Sequence, residues 1–358
     1  MKFKFDKHSS KVIDYFIFPR IYYFSEDQER ALDQSVQKVI PDEYKEFAEK
    51  MKIKLEPYAE EIKQFYDDDI YGEYDFLSIL NHAYPVYSYH DEHEYIDYLF
   101  KVESKSFKDE ILKSLVNLEE DEPNDVEVLN DSQAMQYINS LKITSANKWN
   151  LLLMIQNPKD YLEKWVNLLH KTQTIFYQVY HQYEEKVVKV GEDISKRLSK
   201  NPNESFKKIT YDAVQFDFSN QDSCFLYVSA IFPYTLRFVG DSECRIVWGM
   251  EMEYSFRRIH EINEDHLMQR VKIFKTLGDR TRYETLKLIA KGETSIKNIA
   301  DELDVSSATI SYHINEFLTS GLLHLSKEKN KKTRYVVDYK KLNEIIESLK
   351  ADLLIDDK

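Results

Sequence analysis

The residues best suited to chemistry lie near the C-terminal end. Ser306, Ser307, Ala308, Thr309, Ser311, Tyr312 and His313 open an apolar helical run, and Lys327, Lys329, Lys331, Lys332 and Arg334 follow with Glu328 against them. Short hydroxyl side chains approach a surface closely and both donate and accept hydrogen bonds there. Clustered ammonium and guanidinium groups neutralise phosphates. A groove about 12 Å wide, presenting donors and acceptors between two rows of phosphates, is the major groove of duplex DNA. His313 could reach a phosphate or a base, and backbone N–H groups at the helix start add partial positive charge that suits a phosphate oxygen. Alone, a hydroxyl-rich helix start is a cap and a lysine run is a solvated loop. Their order along the chain is what points to double-stranded DNA.

Such side chains face outward only if the opposite face of their helix is anchored. Ser306 is a good N-cap, Ile310, Ile314, Phe317 and Leu318 supply the buried side, and Gly321 ends the helix. Upstream, Leu267, Val271, Phe274 and Leu277 predict a helix stopping at Gly278, and Tyr283, Leu286, Ile289 and Ala290 a second stopping at Gly292. Ile296, Ile299, Ala300 and Leu303 predict a short third helix before the turn Asp304-Val305. Downstream, LLHL and YVV bracket the basic run as a hairpin, and KKLNEIIESLKADLL spaces Leu342, Ile345, Ile346, Leu349 and Leu353 on one helical face with little left to cover it. Helix, turn, helix and basic hairpin in this order make a winged helix-turn-helix.

Residues 1 to about 205 read as helices, with Tyr44, Phe47, Met51, Leu55 and Tyr58 on one face and Leu162, Trp165, Leu169 and Phe176 on another. Between about 209 and 255 the period changes to two, as Val214, Phe216 and Phe218 alternate with polar residues. The expected fold is therefore α+β and mostly helical. A helical domain with a small antiparallel sheet occupies 1–260, and a winged helix-turn-helix for DNA binding and dimerisation occupies 261–358.

The stretch FKTLGDRTRYETLKLIAKGETSIKNIADELDVSSATISYHINEFLTSGLLHLSKEKNKKTRYVV resembles the DNA-binding domain of ArsR-type bacterial transcription regulators, in its Leu-Gly-Asp-x-Thr-Arg opening and its Ser-x-x-Thr-Ile-Ser-x-His recognition helix. The resemblance implies a homodimer joined through the first and last helices of this domain. It also implies repression of a two-fold operator whose half-sites lie one DNA turn apart, about 34 Å. Metal-sensing members carry a Cys-x-Cys pair where this chain has Ser295 and Lys297, poor ligands for soft metals, and residues 340 to 355 hold no histidine. The strand-rich segment ending in WGMEMEY resembles N-terminal regions of long ArsR-like proteins. A non-metal effector, small molecule or protein, is therefore expected at the N-terminal domain.

Charge follows the same division. The chain carries −14 overall, yet residues 266 to 358 hold 17 Lys/Arg against 14 Asp/Glu. Screening over about 8 Å leaves a local basic surface free to meet phosphates. Two cysteines, Cys224 and Cys244, are too few for a disulfide scaffold and read as small buried thiols. The apolar runs fall short of a membrane span and the N-terminus lacks a secretion signal, so a cytoplasmic protein without membrane partners is expected. Aromatic clusters such as IDYFIFPRIYYF could line a pocket or fill a core. His90 and His93 could hold a metal but read as a solvated helix start, as do His260 and His266. With no phosphate loop, nucleophile elbow or zinc-protease string in the sequence, no cofactor and no enzyme are expected. A protein-docking module, or an enzyme within residues 1–255 coupled to DNA binding, are the alternatives.

Overall fold

The computed structural model describes residues 1–24, 39–67, 70, 71, 74–119, 130–214, 216–219, 221–239, 243–263, 266–326 and 334–353. The described residues divide into two compact units. The first is drawn from Met1–Asp27, Pro41–Ser199 and Gln221–Met252, the second from Gln28–Ile40, Lys200–Asn220 and Glu253–Lys358. The division is therefore not a single cut near 260. Residues 2–5 pair with a strand more than two hundred positions away, which draws residues 221–252 back to the N-terminal unit and leaves 200–220 in the other.

In the first unit, β1 (Lys2–Phe5) lies beside β2 (Ser223–Ser229), then β4 (Cys244–Gly249), with β3 (Leu236–Val239) at the far edge. The sheet expected to be antiparallel is mixed: β1 and β4 both run parallel to β2, and β3 alone runs against β4. The local hairpin of β3 and β4 forms, but β4 inserts next to β2 and pushes β3 outward. Among the described residues the alternation through Val214 and Phe218 makes no strand; Phe218 packs its ring on Phe206, 5.3 Å between centroids, and donates its N–H to Asn203. Cys224 and Cys244 are directly opposed in the β2–β4 register, with Cα atoms 4.5 Å apart, and form a disulfide rather than two thiols.

The same unit holds the helices α1 (Lys7–Ile17), which packs on β2, α2 (Asp42–Leu55), α3 (Ala59–Tyr66), α4 (Phe76–Ala83), α5 (Glu92–Lys101), α6 (Ser104–Glu119), α7 (Asp131–Ser140), α8 (Ser145–Gln156), α9 (Pro158–Tyr180) and α10 (Glu184–Lys200). The aromatic clusters fill the core. Phe16 and Trp165 stack with centroids 5.3 Å apart, Trp165 donates its indole N–H to Tyr66, and Tyr66 donates its hydroxyl to the Phe16 carbonyl. Burying rings of this size contributes the largest apolar areas available to a core, provided each hydroxyl finds an acceptor. No helix among the described residues is long and apolar enough to cross a membrane.

The second unit holds α11 (Pro202–Ile209), α12 (Met252–Asn263), α13 (His266–Leu277), α14 (Arg280–Ala290), α15 (Ile296–Leu303), α16 (Ser307–Thr319), β5 (Leu323–Ser326), β6 (Arg334–Val337) and α17 (Tyr339–Asp352). Ile273, Leu286, Ile299, Ile310, Ile314, Phe317, Val337 and Ile345 close one core among them. The hairpin is antiparallel, with Leu323 opposite Val337 and Ser326 opposite Arg334. These are the helices and strands that the apolar spacing of residues 267 to 353 predicts.

Candidate nucleic-acid interface

Helix α16 is set by its ends. Ser306 has extended backbone and its hydroxyl oxygen accepts from the Thr309 N–H at 3.1 Å, so one of the first-turn donors is satisfied. At the other end Gly321, at φ +73°, takes the left-handed conformation that stops the helix at little cost. The turn before α16 is built on Asp304, at φ +55°, and the Val305 N–H bonds back to Ala300. Ser295, at the position where a metal sensor would have a thiolate, caps α15 by accepting from Asn298.

Along α16, Ser306 and Ala308 are exposed, and Ser307, Thr309, Ser311 and Tyr312 are half-buried. Ile310, Ile314 and Phe317 are buried in the core beneath them. These six short or polar residues therefore keep part of their surface open to solvent. His313 does not join them. It is 5% exposed, and neither ring nitrogen has a hydrogen-bond partner among the described residues. Burial, reinforced by the Arg282 charge, pushes its pKa down to about 4, so it is neutral near pH 7 and cannot serve as a phosphate-binding cation. The expected contact through His313 is corrected on this ground. The physical reason is helical phase: His313 follows Ile310 by three positions and precedes Phe317 by four, which puts it on the apolar stripe.

Tyr312 is also more constrained than its sequence position suggests. Arg282 of α14 donates to the Tyr312 hydroxyl at 2.9 Å, holds its guanidinium 5.2 Å from the ring centre, and forms an ion pair with the buried Glu316 at 2.6 Å. One arginine thus ties two positions of α16, one helical turn apart, to the helix before it. Sequence reasoning missed this role. The available signal was an arginine on α14 matched by a glutamate on the otherwise apolar side of α16. Asp279 caps α14 by accepting from the Arg282 N–H, which fixes where that side chain starts.

Arg334 begins β6 and is half-buried. Lys327, Lys329, Lys331 and Lys332 lie outside the described residues. The two histidines weighed as metal ligands are placed otherwise: His90 bonds to Asp6 at 3.0 Å, and the His93 N–H bonds to Asp91 as part of the α5 cap. Among the described residues no group of three or more His, Cys, Asp or Glu is placed to hold a metal ion.

With this geometry in hand, the comparisons are specific. Residues 277–326 match a family described as a helix-turn-helix domain, a span that runs from the end of α13 to the end of β5. Over 68 residues the chain is 40% identical to an uncharacterized HTH-type transcriptional regulator of Methanocaldococcus jannaschii, covering 19% of this chain and 76% of that protein. The chain belongs to the helix-turn-helix family. No solved structure matches it. The matched span includes α14, α15, the Asp304 turn, α16 and β5, and it begins only at Leu277, so it says nothing of the first unit.

Proposed function

We propose that this helix-turn-helix protein is a sequence-specific, DNA-binding transcription regulator of the ArsR type, acting in the cytoplasm as a homodimer and as a repressor, with a non-metal effector. The observation that carries the reading is α16: an apolar face locked into the core, an open face of small hydroxyl and aromatic side chains, and Arg282 holding its orientation. A helix so anchored can enter a major groove and present hydrogen-bonding groups at base edges.

The homodimer draws support from exposed apolar side chains on the first and last helices of the winged-helix domain. Met268, Val271 and Phe274 on α13 and Ile346 on α17 stand exposed, as does Leu353 just beyond it, Met268 at 63%. Side chains of this size left in water favour association, and a second copy offers the same face. Repression is argued from the ArsR resemblance alone, and regulation without catalysis from the lack of a recognisable catalytic string.

Selection of genomic fragments by the purified full-length protein tests the reading. Thr309→Ala should then weaken binding to a selected site by about 1–3 kcal/mol while sparing random DNA. Equal loss on both, or no salt-dependent binding at all, would move the reading to a protein-docking module.

A further inference from the structure

The solvent-facing side of α16 continues past its hydroxyl-rich start to Asn315, which is exposed. Ala308, Ser311, Tyr312 and Asn315 stand at positions i, i+3, i+4 and i+7, and residues so spaced share one side of a helix. This is the spacing at which a helix presents side chains to base edges along a major groove. On the opposite side, Ile310, Ile314 and Phe317 are buried in the core. The stripe ends at Asn315, because Thr319, one turn further, is half-buried and spends its hydroxyl on the Glu316 carbonyl.

The chemistry of these four residues narrows what each can distinguish. A hydroxyl donates or accepts as its neighbour requires, so Ser311 and Tyr312 do not by themselves separate one base from another. The Tyr312 hydroxyl, moreover, accepts from Arg282. Ala308 offers a methyl group alone. Asn315 differs, since its amide fixes an acceptor oxygen beside a donor nitrogen. In the major groove adenine presents the complementary pair, an N6 donor beside the N7 acceptor, whereas guanine presents two acceptors, cytosine a donor, and thymine an acceptor with a methyl group. Arg and Lys, the usual readers of guanine, are absent from the α16 sequence SATISYHINEFLT. Helix stability does not call for the residue either. Asparagine is a weak helix former, and Ala, Lys or Glu would serve an exposed interior position better.

We propose that Asn315 is a specificity-determining residue that reads one adenine in the DNA half-site, accepting from its N6 and donating to its N7. This deepens the regulator reading above and rests on it. At a rise of about 1.5 Å per residue, Asn315 lies about 10 Å along the helix from Ala308, so the amide meets a different base pair from the one under the first turn. Arg282 binds Tyr312 and Glu316, the residues three before and one after Asn315. The turn of α16 that bears the amide is therefore the one tied to α14, and a contact that depends on two hydrogen bonds at once gains most from a fixed helix.

The test selects sequences from a random duplex library with the full-length protein and with its Asn315→Ala variant. The wild type is expected to recover adenine at one position of the half-site, and Asn315→Ala to lose the preference there while keeping it elsewhere. On a fixed selected duplex the substitution should weaken binding about tenfold or more, as loss of a good bidentate base contact does. Replacing that adenine by 7-deazaadenine, which lacks the N7 acceptor, should weaken the wild type several-fold and leave Asn315→Ala unmoved. A residue that only shaped the helix would not separate the two duplexes. The thermal midpoint should not fall, since alanine is the better helix former. A preference lost at no position, a lost base other than adenine, an equal response of both proteins to 7-deazaadenine, or a midpoint lowered enough to account for the weaker binding overturns this role and leaves the regulator reading standing. A wild type that selects no sequence overturns the regulator reading, and this role with it.

Discussion

The core of the first unit is threaded with tyrosines whose hydroxyls end on backbone carbonyls, while the core cluster around α16 in the second unit is aliphatic apart from Phe317. Tyr44 bonds to Ile231, Tyr66 to Phe16, Tyr71 to Leu115, Tyr95 to Tyr84 and Tyr227 to Tyr87. Each of these bonds joins segments distant in the chain or fixes a loop that apolar packing alone would leave free. The aliphatic core depends on helical phase and shape, with little hydrogen bonding inside. Besides the Arg282–Glu316 pair and His313, its buried polar groups include Thr276, Thr285 and Ser320, and the Thr285 and Ser320 hydroxyls donate to the nearby Thr281 and Phe317 carbonyls. A unit held by directional bonds has a unique arrangement at the cost of many satisfied donors and acceptors. A unit held by stripes of Ile and Leu is readable from its periodicity.

The largest effects that could break this comparison come from the rings at the two centres. Trp165→Ala and Phe317→Ala should each cost about 3–5 kcal/mol. All three tryptophans, Trp149, Trp165 and Trp248, belong to the first unit, so fluorescence-monitored denaturation reports on that unit. It should shift with Trp165→Ala and stay in place with Phe317→Ala, whose loss is read by circular dichroism. A fluorescence shift of equal size with both would show that the two cores do not differ in the way described.

Next in size is the titration of Asp14. Its carboxylate is fully buried and accepts from the Ser229 hydroxyl and the Ala230 and Ile231 N–H groups, yet burial outweighs those bonds and raises its pKa to about 7. The folded state thus holds the proton more tightly than the unfolded chain. The resulting stability is fully present below about pH 4 and is lost as pH rises to about 7, on the order of 4 kcal/mol at 1.36 kcal/mol per unit. Chemical denaturation at stepped pH should show the decline, and Asp14→Asn should flatten it. A wild-type profile that does not fall over that interval would remove Asp14 from the account.

Arg282→Gln should destabilise the second unit by about 3 kcal/mol, since it leaves Glu316 buried without its partner. It should also lower affinity for a selected site, because Tyr312 loses its tether. Double substitution with Glu316→Gln should recover stability while leaving the affinity defect, and recovery of both would mean that Arg282 acts only on the fold. The smallest effect belongs to Tyr66→Phe, about 2 kcal/mol in the first unit, from the Phe16 carbonyl and the Trp165 N–H left without partners. A neutral result would show that hydroxyl bonding there is incidental to ring packing.

Much of the second unit was legible in the amino acids. Its helices alternate apolar stripes with caps, Ser295, Ser306 and Asp279 accept at helix starts, and Gly292 and Gly321 take positive φ where helices stop. These are local signals, settled within one or two turns of chain. The candidate site was legible to the same extent: the open face of α16 follows from where its apolar face must go. His313 was misread because its polarity was weighed above its phase. Arg282 was missed because an arginine's reach across to a neighbouring helix depends on how the two helices cross.

What the sequence determined by itself is the helices of residues 267 to 353, the Ser306 cap and the hydroxyl-bearing face of α16, because each arises from residues three or four positions apart. Tertiary structure alone decided the parallel pairing of β1 with β2, the opposition of Cys224 and Cys244, and the burial of Asp14. All three join segments separated by many residues, where no local periodicity records the partner. The free energy that selects them comes from closing such contacts together, so only the assembled chain expresses them.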